Sequence, residues 1–144
     1  MIAIASDHAG IALKADLARL LRELGLVVED LGPDDPSSVD YPDYAHLLAR
    51  AVADGRVERG ILICGTGIGM SMTANRHAGV RAALCHDAYT AEMARRHNDA
   101  NVLCLGARAI GPGVAEQVVQ VFVDTSFEGG RHQRRVAKIE REEP

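Results

Sequence analysis

The sequence has few cysteines and no long apolar run. Its three cysteines stand at positions 64, 85 and 104. This odd number, at spacings that fit no zinc pattern, favours reduced thiols over a disulfide framework and predicts no bound metal. No apolar stretch approaches the roughly 20 residues of a membrane span, and no basic region or cleavage-like site follows Met1. We therefore expect a cytoplasmic protein without a membrane partner.

An excess of positive charge is also missing, since 16 lysines and arginines face 20 aspartates and glutamates. The formal net charge of −4 argues against nucleic acid as a partner, because binding a phosphate backbone needs a basic face. In contrast, apolar residues are plentiful at 47%, with only five prolines in 144 residues. The chain can therefore bury a real core, and we expect residues 1–144 to form one domain.

Apolar, strand-like segments alternate with helical periodicity along the chain. The predicted strands are residues 2–6, 26–31, 61–64, 80–85 and 101–106. The predicted helices are residues 11–24, 41–55, 68–76, 87–97 and 112–127, followed by a charged C-terminal helix within 128–144. Apolar strands separated by helices predict a parallel sheet covered on both sides. We predict a Rossmann-like α/β three-layer sandwich with strand order 2-1-3-4-5.

Polar residues follow several of the predicted strands. Asp7 and His8 come after the first strand, Cys64 and Thr66 after the third, and Arg108 after the fifth. Ligands of such sheets bind beyond the carboxyl ends of the strands, where the strand order reverses. In the predicted order the first and third strands are neighbours at this point, so Asp7, His8, Cys64 and Thr66 form a candidate active site.

The stretch GILICGTGIGMS, residues 60–71, places three alternate glycines after Cys64. It lacks the Gly-Lys-Ser/Thr ending of a Walker loop, and it follows the third strand rather than the first, unlike a dinucleotide fingerprint. A phosphocysteine phosphatase loop would need arginine where Met70 stands. What remains is a set of backbone N–H groups that could hold an anion or a developing oxyanion beside a thiol.

Several of these residues also have purely structural interpretations. Asp7 could cap the first helix, and alternate glycines can serve a tight turn alone. Cys85 and Cys104 lie in apolar strands and are expected to be core residues. Three arginines of the C-terminal segment share one helical face, which would be either a solvated surface or a phosphate clamp. They are Arg131, Arg134 and Arg135.

Five segments carry a resemblance to a known family: SDHAG, DYPDYA, GILICGTGIGMSMTANR, HNDANVLCLGAR and EGGRHQRRV. In this order and spacing the chain resembles, over nearly its whole length, the type B ribose-5-phosphate isomerases, a family that includes the galactose-6-phosphate isomerase subunits. The resemblance implies interconversion of ribose 5-phosphate and ribulose 5-phosphate through an enediolate, without metal or other cofactor. Some members use a nearby glutamate in place of the cysteine, but here Cys64 is present and position 68 is isoleucine.

The resemblance also implies a role for each motif residue. Cys64 would move the proton between C1 and C2, His97 would be the acid that opens the furanose, and Thr66 would orient substrate or thiolate. Asp7 and Asn98 would contact hydroxyl groups. The enediolate would be held by the backbone N–H groups of Gly65, Thr66, Gly67, Ile68 and Gly69. The phosphate would be held by His8, Arg108, Arg131 and Arg135, with Arg134 outside the clamp.

The predicted topology places His97 and Asn98 at the end of the fourth helix, which returns antiparallel to the strands. They should therefore lie at the opposite edge of the sheet from Cys64. We predict that a second subunit supplies them, which makes the protein a homodimer, or a tetramer built from two such dimers, with shared active sites.

Other substrates and another function are compatible with the residues. Galactose 6-phosphate, allose 6-phosphate or a tetrose phosphate could replace ribose 5-phosphate, and the 32–40 loop with Tyr41 could shape the pocket. A non-catalytic sugar-phosphate sensor would need the phosphate clamp without the base, so Cys64 beside His97 argues against it.

Overall fold

The computed structural model describes residues 1–140 and contains a five-stranded, fully parallel sheet between two layers of helices. The strands are β1 (Ile2–Ser6), β2 (Val28–Asp30), β3 (Arg59–Cys64), β4 (Ala82–Leu84) and β5 (Val102–Gly106). The helices are α1 (Ile11–Glu23), α2 (Tyr41–Ala53), α3 (Ile68–Ala74), α4 (Ala88–Asn98), α5 (Pro112–Asp124) and α6 (Arg131–Ala137). The predicted α/β class and its C-terminal helix are confirmed. Residues 141–144 of the predicted last helix lie outside the described residues.

Alternate residues of each central strand pack on opposite faces of the sheet. In β1, Ile2 and Ile4 belong to the core beneath α1, α4 and α5, whereas Ala3 and Ala5 belong to the core beneath α2 and α3. This follows from the two-residue period of a strand, which gives a strand buried on both faces a continuous apolar sequence.

The helices are short and begin where the sequence predicts. Proline occupies the first turn of α2 and of α5, where its missing N–H would have no helical acceptor. The longest helices have 13 residues. Within residues 1–140, no helix is long and apolar enough to cross a lipid bilayer.

The predicted strand order 2-1-3-4-5 is wrong at one edge, because the sheet runs β2-β1-β3-β5-β4. The handedness of the connections explains the difference. In right-handed crossovers the direction of travel along the sheet decides which face the helix covers. Since α4 packs on the same face as α1, the step from β4 to β5 runs in the same direction as the step from β1 to β2. β5 therefore lies beside β3.

Burial agrees with this order. All five residues of β5 are buried, whereas the three residues of β4 are partly exposed, as expected for an edge strand. The Arg81 guanidinium just before β4 donates to the carbonyls of Asn98 and Asp99. The order has a consequence for function, because it brings Arg108, two residues after β5, next to the end of β3.

Candidate active site

The thiol of Cys64 lies at the carboxyl end of β3, inside the glycine turn. Its Sγ accepts a hydrogen bond from the Gly67 N–H at 3.1 Å, and the side chain is buried. Gly67 has a φ of +80°, a conformation that L side chains rarely adopt. The turn therefore directs a backbone N–H at the sulfur.

The same turn presents backbone donors to a ligand. Thr66 Oγ1 accepts from the Ile68 N–H at 3.2 Å. Within residues 1–140, the N–H groups of Gly65, Thr66 and Gly69 have no hydrogen-bond acceptor. Free donors beside a potential base are the arrangement that stabilises an oxyanion formed by proton abstraction.

The turn is packed against β5 with no room for a side chain at Gly106. A Cβ built there would lie 2.7 Å from the carbonyl carbon and oxygen of Thr66. Because these atoms are backbone, a methyl group at this position must displace the turn itself. Gly106, which motif spacing alone did not single out, therefore helps to set the position of Thr66.

We expect Gly106→Ala to destabilise the protein by about 1–3 kcal/mol and to lower catalytic activity, since overpacking is relieved only by backbone movement. Urea unfolding and the rate of sugar-phosphate isomerisation would measure the two effects. Gly113→Ala in α5 is the matched control, because a Cβ there meets nothing within 4 Å. Equal behaviour of the two variants would contradict the prediction.

Asp7 and His8 follow β1, beside β3, as predicted. The Asp7 N–H donates to the Ile63 carbonyl at 3.0 Å, which ties the start of this segment to β3. Asp7 Oδ1 accepts a hydrogen bond from the Ala9 N–H at 2.9 Å, so one carboxylate oxygen of Asp7 caps the helical turn that begins at His8. His8 Nδ1 accepts from the Val39 N–H at 3.2 Å, which leaves Nε2 as the protonated nitrogen of the neutral ring and a donor to ligands.

A buried lysine fixes the loop that contacts His8. Lys14 Nζ donates to Asp30 Oδ1 at 2.7 Å and to the Pro33 carbonyl at 2.8 Å, with only 3% of the residue exposed. The 32–40 loop is thus held near its start by Lys14, and it reaches His8 through Val39. Sequence reasoning placed this loop at the edge of the site but missed its attachment.

Two large side chains flank the glycine turn. A Cβ built on Gly65 would lie 3.4 Å from Arg108 Nη1, and one on Gly69 would lie 2.5 Å from the Tyr41 ring. The Arg108 N–H also donates to the Gly65 carbonyl at 2.9 Å. A cation and an aromatic ring therefore border the free N–H groups, which suits a phosphorylated, hydroxylated ligand.

The other two cysteines are core residues, as expected. Burial raises the pKa of the Cys85 thiol to about 11 and that of Cys104 further still. Both thiols are therefore protonated at neutral pH, and Cys64 is the one cysteine whose sulfur accepts a backbone hydrogen bond among the described residues.

His97 and Asn98 lie at the opposite edge of the sheet from Cys64, as the topology predicts. They end α4 just before β5 starts, and the Asn98 carbonyl accepts from Arg81 at the start of β4. Cys64 is paired with Gly106 at the other end of β5. The five residues of β5 span four residue steps, roughly 13 Å at about 3.3 Å per residue.

The C-terminal arginines lie with His97 rather than with Cys64. The ring of His132, next to Arg131 in α6, stacks on that of His97 with 4.2 Å between centroids. The predicted site residues thus fall into two groups. The first consists of Asp7, His8, Cys64, residues 65–69 and Arg108, and the second consists of His97, Asn98, Arg131 and Arg135.

Within the described residues, one histidine–carboxylate cluster has the ligand types of a metal site: His97, Glu128 and His132, with ligand atoms within 4.8 Å of one another. The two imidazole planes differ by only 9°, so their nitrogen lone pairs lie in nearly parallel planes and do not converge on one point. The cluster as it stands is a stacked pair beside a carboxylate. Sequence reasoning, which read the tail as arginines, missed both His132 and Glu128.

The fold and the first group together define an α/β enzyme with a site for a small anionic ligand beyond the carboxyl ends of its strands. The Ribose/Galactose Isomerase family model matches residues 2–139, and the chain belongs to this family. It is an isomerase of sugar phosphates.

Individual relatives are similar along nearly the whole chain. Ribose-5-phosphate isomerase B of Escherichia coli is 46% identical, covering 96% of this chain and 93% of that protein. D-erythrulose-4-phosphate isomerase of Pectobacterium atrosepticum is 48% identical, covering 96% and 91%. The ribose-5-phosphate isomerase B structure of Clostridium thermocellum superposes with a TM-score of 0.94 at 48% identity, covering 96% and 93% of the two chains.

Proposed function

We propose that the protein interconverts ribose 5-phosphate and ribulose 5-phosphate, with the Cys64 thiolate as base and without a metal. The observation that carries the proposal is the Cys64 sulfur held by the Gly67 N–H next to three free backbone donors. The resemblance to the Escherichia coli enzyme supports the choice of substrate.

The chemistry follows from the site. The thiolate removes the proton from C2 of the open-chain aldose, and the electron pair moves through the C1–C2 bond onto the carbonyl oxygen. The enediolate formed in this way is stabilised by the N–H groups of Gly65, Thr66 and Gly69. Cys64 then returns the proton to C1, and a proton moves between the two oxygens to give the ketose. Asp7 orients the substrate hydroxyl groups, and Thr66 orients the substrate or the thiolate.

The second group of residues completes the reaction in a homodimer with shared sites, or in a tetramer built from two such dimers. His97 of one subunit donates a proton to the ring oxygen as the C1–O bond of the furanose breaks, while the C1 hydroxyl releases its proton to solvent and becomes the aldehyde. Asn98 contacts a hydroxyl group. Arg131 and Arg135 of that subunit join His8 and Arg108 of the other subunit on the phosphate. Binding of this non-reacting group holds the reacting carbons in place. The two groups lie at opposite ends of β5, a strand roughly 13 Å long, and this separation within one chain supports the assembly.

A tetrose phosphate is the second candidate substrate, because the Pectobacterium relative with 48% identity is named as a D-erythrulose-4-phosphate isomerase. Galactose 6-phosphate remains a candidate on the family description. Allose 6-phosphate remains one as another aldose phosphate that the sequence does not distinguish. Since the relatives are isomerases, we set the sensor interpretation aside.

The proposal predicts conversion of ribose 5-phosphate to ribulose 5-phosphate at the same rate with and without EDTA. kcat/KM for ribose 5-phosphate should exceed those for erythrose 4-phosphate, galactose 6-phosphate and allose 6-phosphate. A higher kcat/KM for another sugar phosphate would make that compound the preferred substrate instead of ribose 5-phosphate. Loss of conversion in EDTA that a divalent cation restores would refute the metal-free mechanism.

A further inference from the structure

The end of α4 and the start of α6 bring two imidazole rings face to face. The rings of His97 and His132 are stacked with 4.2 Å between centroids and planes 9° apart. His132 is 5% exposed, whereas the side chain of His97 is 39% exposed. His132 is therefore the buried support, and His97 is the ring that a substrate can reach.

Packing, rather than hydrogen bonding at its Nε2 atom, holds the His132 ring. This buried nitrogen has no hydrogen-bond partner among residues 1–140. The nearest carboxylate oxygen, Glu128 Oε1, is 3.7 Å away, and Glu128 Oε2 is 4.0 Å from His97 Nε2. The carboxylate thus lies beside both rings at more than hydrogen-bond distance. The stacked faces link α6 to His97.

The surroundings of His132 favour its neutral ring. Burial is the main cause that lowers its pKa, and the neighbouring His97, Arg131 and Arg135 lower it further, against the opposing effect of Glu128. The ring stacked against His97 is therefore uncharged.

The position of His132 on α6 links this stack to the proposed phosphate clamp. Arg131 precedes it directly, and Arg135 lies one turn further along the same helix. In a ribofuranose 5-phosphate the ring oxygen is bonded to C4, next to the C5 that carries the phosphate. The proton donor and the phosphate clamp thus act on neighbouring parts of the substrate and must be held at a fixed spacing.

We propose that His132 is a positioning residue for ring opening: its stacked ring fixes the imidazole of His97 relative to the arginines of α6. The inference rests on the proposed function, because it concerns the step that His97 performs. Loss of the His132 ring should affect only ring opening, because Cys64, in the first group of residues, carries out the proton transfer between C1 and C2.

Ribulose 5-phosphate allows proton transfer to be measured apart from ring opening, because it has no ring to open. Its C5 oxygen carries the phosphate, so no hydroxyl can close a five-membered ring onto the C2 ketone. Exchange of its C1 protons with solvent deuterium, followed by NMR, reports enediolate formation without ring opening. The second measurement is the conversion of ribose 5-phosphate to ribulose 5-phosphate at saturating substrate.

In His132→Ala we expect conversion of ribose 5-phosphate to fall by about 100-fold, as for a misplaced catalytic group, while deuterium exchange continues at the wild-type rate. His132→Phe keeps a flat ring and removes the unpaired nitrogen, so it should keep most of the conversion and melt at a higher temperature.

Equal losses of conversion and exchange in His132→Ala, or no loss of conversion, would overturn the inference. Loss of conversion in a folded His132→Phe variant would show that a flat stacked ring is not enough to position His97, which would also overturn the inference. Failure of the proposed function gives a different result, because the wild-type protein would then show neither conversion nor exchange. That result would refute the inference together with the proposed function.

Discussion

Replacing Cys64 with alanine should lower kcat for ribose 5-phosphate by about 10²–10⁴-fold, the usual contribution of a general base, and leave KM close to the wild-type value. The reason is that the thiol acts on C2 of the substrate, whereas hydroxyl and phosphate contacts come from other residues. Steady-state kinetics and deuterium exchange at C1 of ribulose 5-phosphate would both report the loss, because both need the base.

Cys85→Ala is the matched control for this variant. Cys85 is 2% exposed in the same structure, and its thiol, with a pKa of about 11, is protonated at neutral pH. Its removal should leave kcat unchanged. Retention of conversion and exchange in Cys64→Ala would refute the role of the thiol, and equal losses in both variants would indicate a structural effect.

Mixing two inactive variants should restore activity if the sites are shared between subunits. In a dimer of Cys64→Ala with His97→Ala, one site combines the intact Cys64 group with the intact His97 group. Random exchange of equal amounts gives half hybrid dimers with one working site each, so we expect about a quarter of wild-type activity. The activity would be measured after subunit exchange has been verified by native mass spectrometry.

Cys64→Ala mixed with Arg108→Ala is the control for this experiment. Both substitutions fall in the first group of residues, so each site of the hybrid keeps one defect and no activity should return. If verified hybrids of Cys64→Ala and His97→Ala remain inactive, the two groups do not meet across subunits.

The order of the last two strands illustrates a limit of reading a sequence. The stretches VRAALC and NVLCLG are similarly apolar, and periodicity alone predicts two strands without saying which one is central. The choice depends on which face α4 covers, and that depends on packing between residues distant in sequence. As a result, the proximity of Arg108 to Gly65 could not be predicted from spacing.

The C-terminal segment illustrates the same limit at a single side chain. Its arginines signal a basic helical face, and a lone histidine among them carries no pattern that indicates a partner. His132 becomes a candidate only because α6 packs on α4 and brings it against His97.

The sequence by itself determined the alternation of strands and helices, the cysteine at the head of the glycine turn and the residues that end each strand. These are local properties, set by side-chain periodicity and by the conformations that glycine and proline allow. Only the tertiary structure decided the neighbours of each strand, the position of the α6 arginines on the side of His97 and the stack beneath His97. Those features arise from packing between residues far apart in the chain, where burial rather than local preference selects the arrangement.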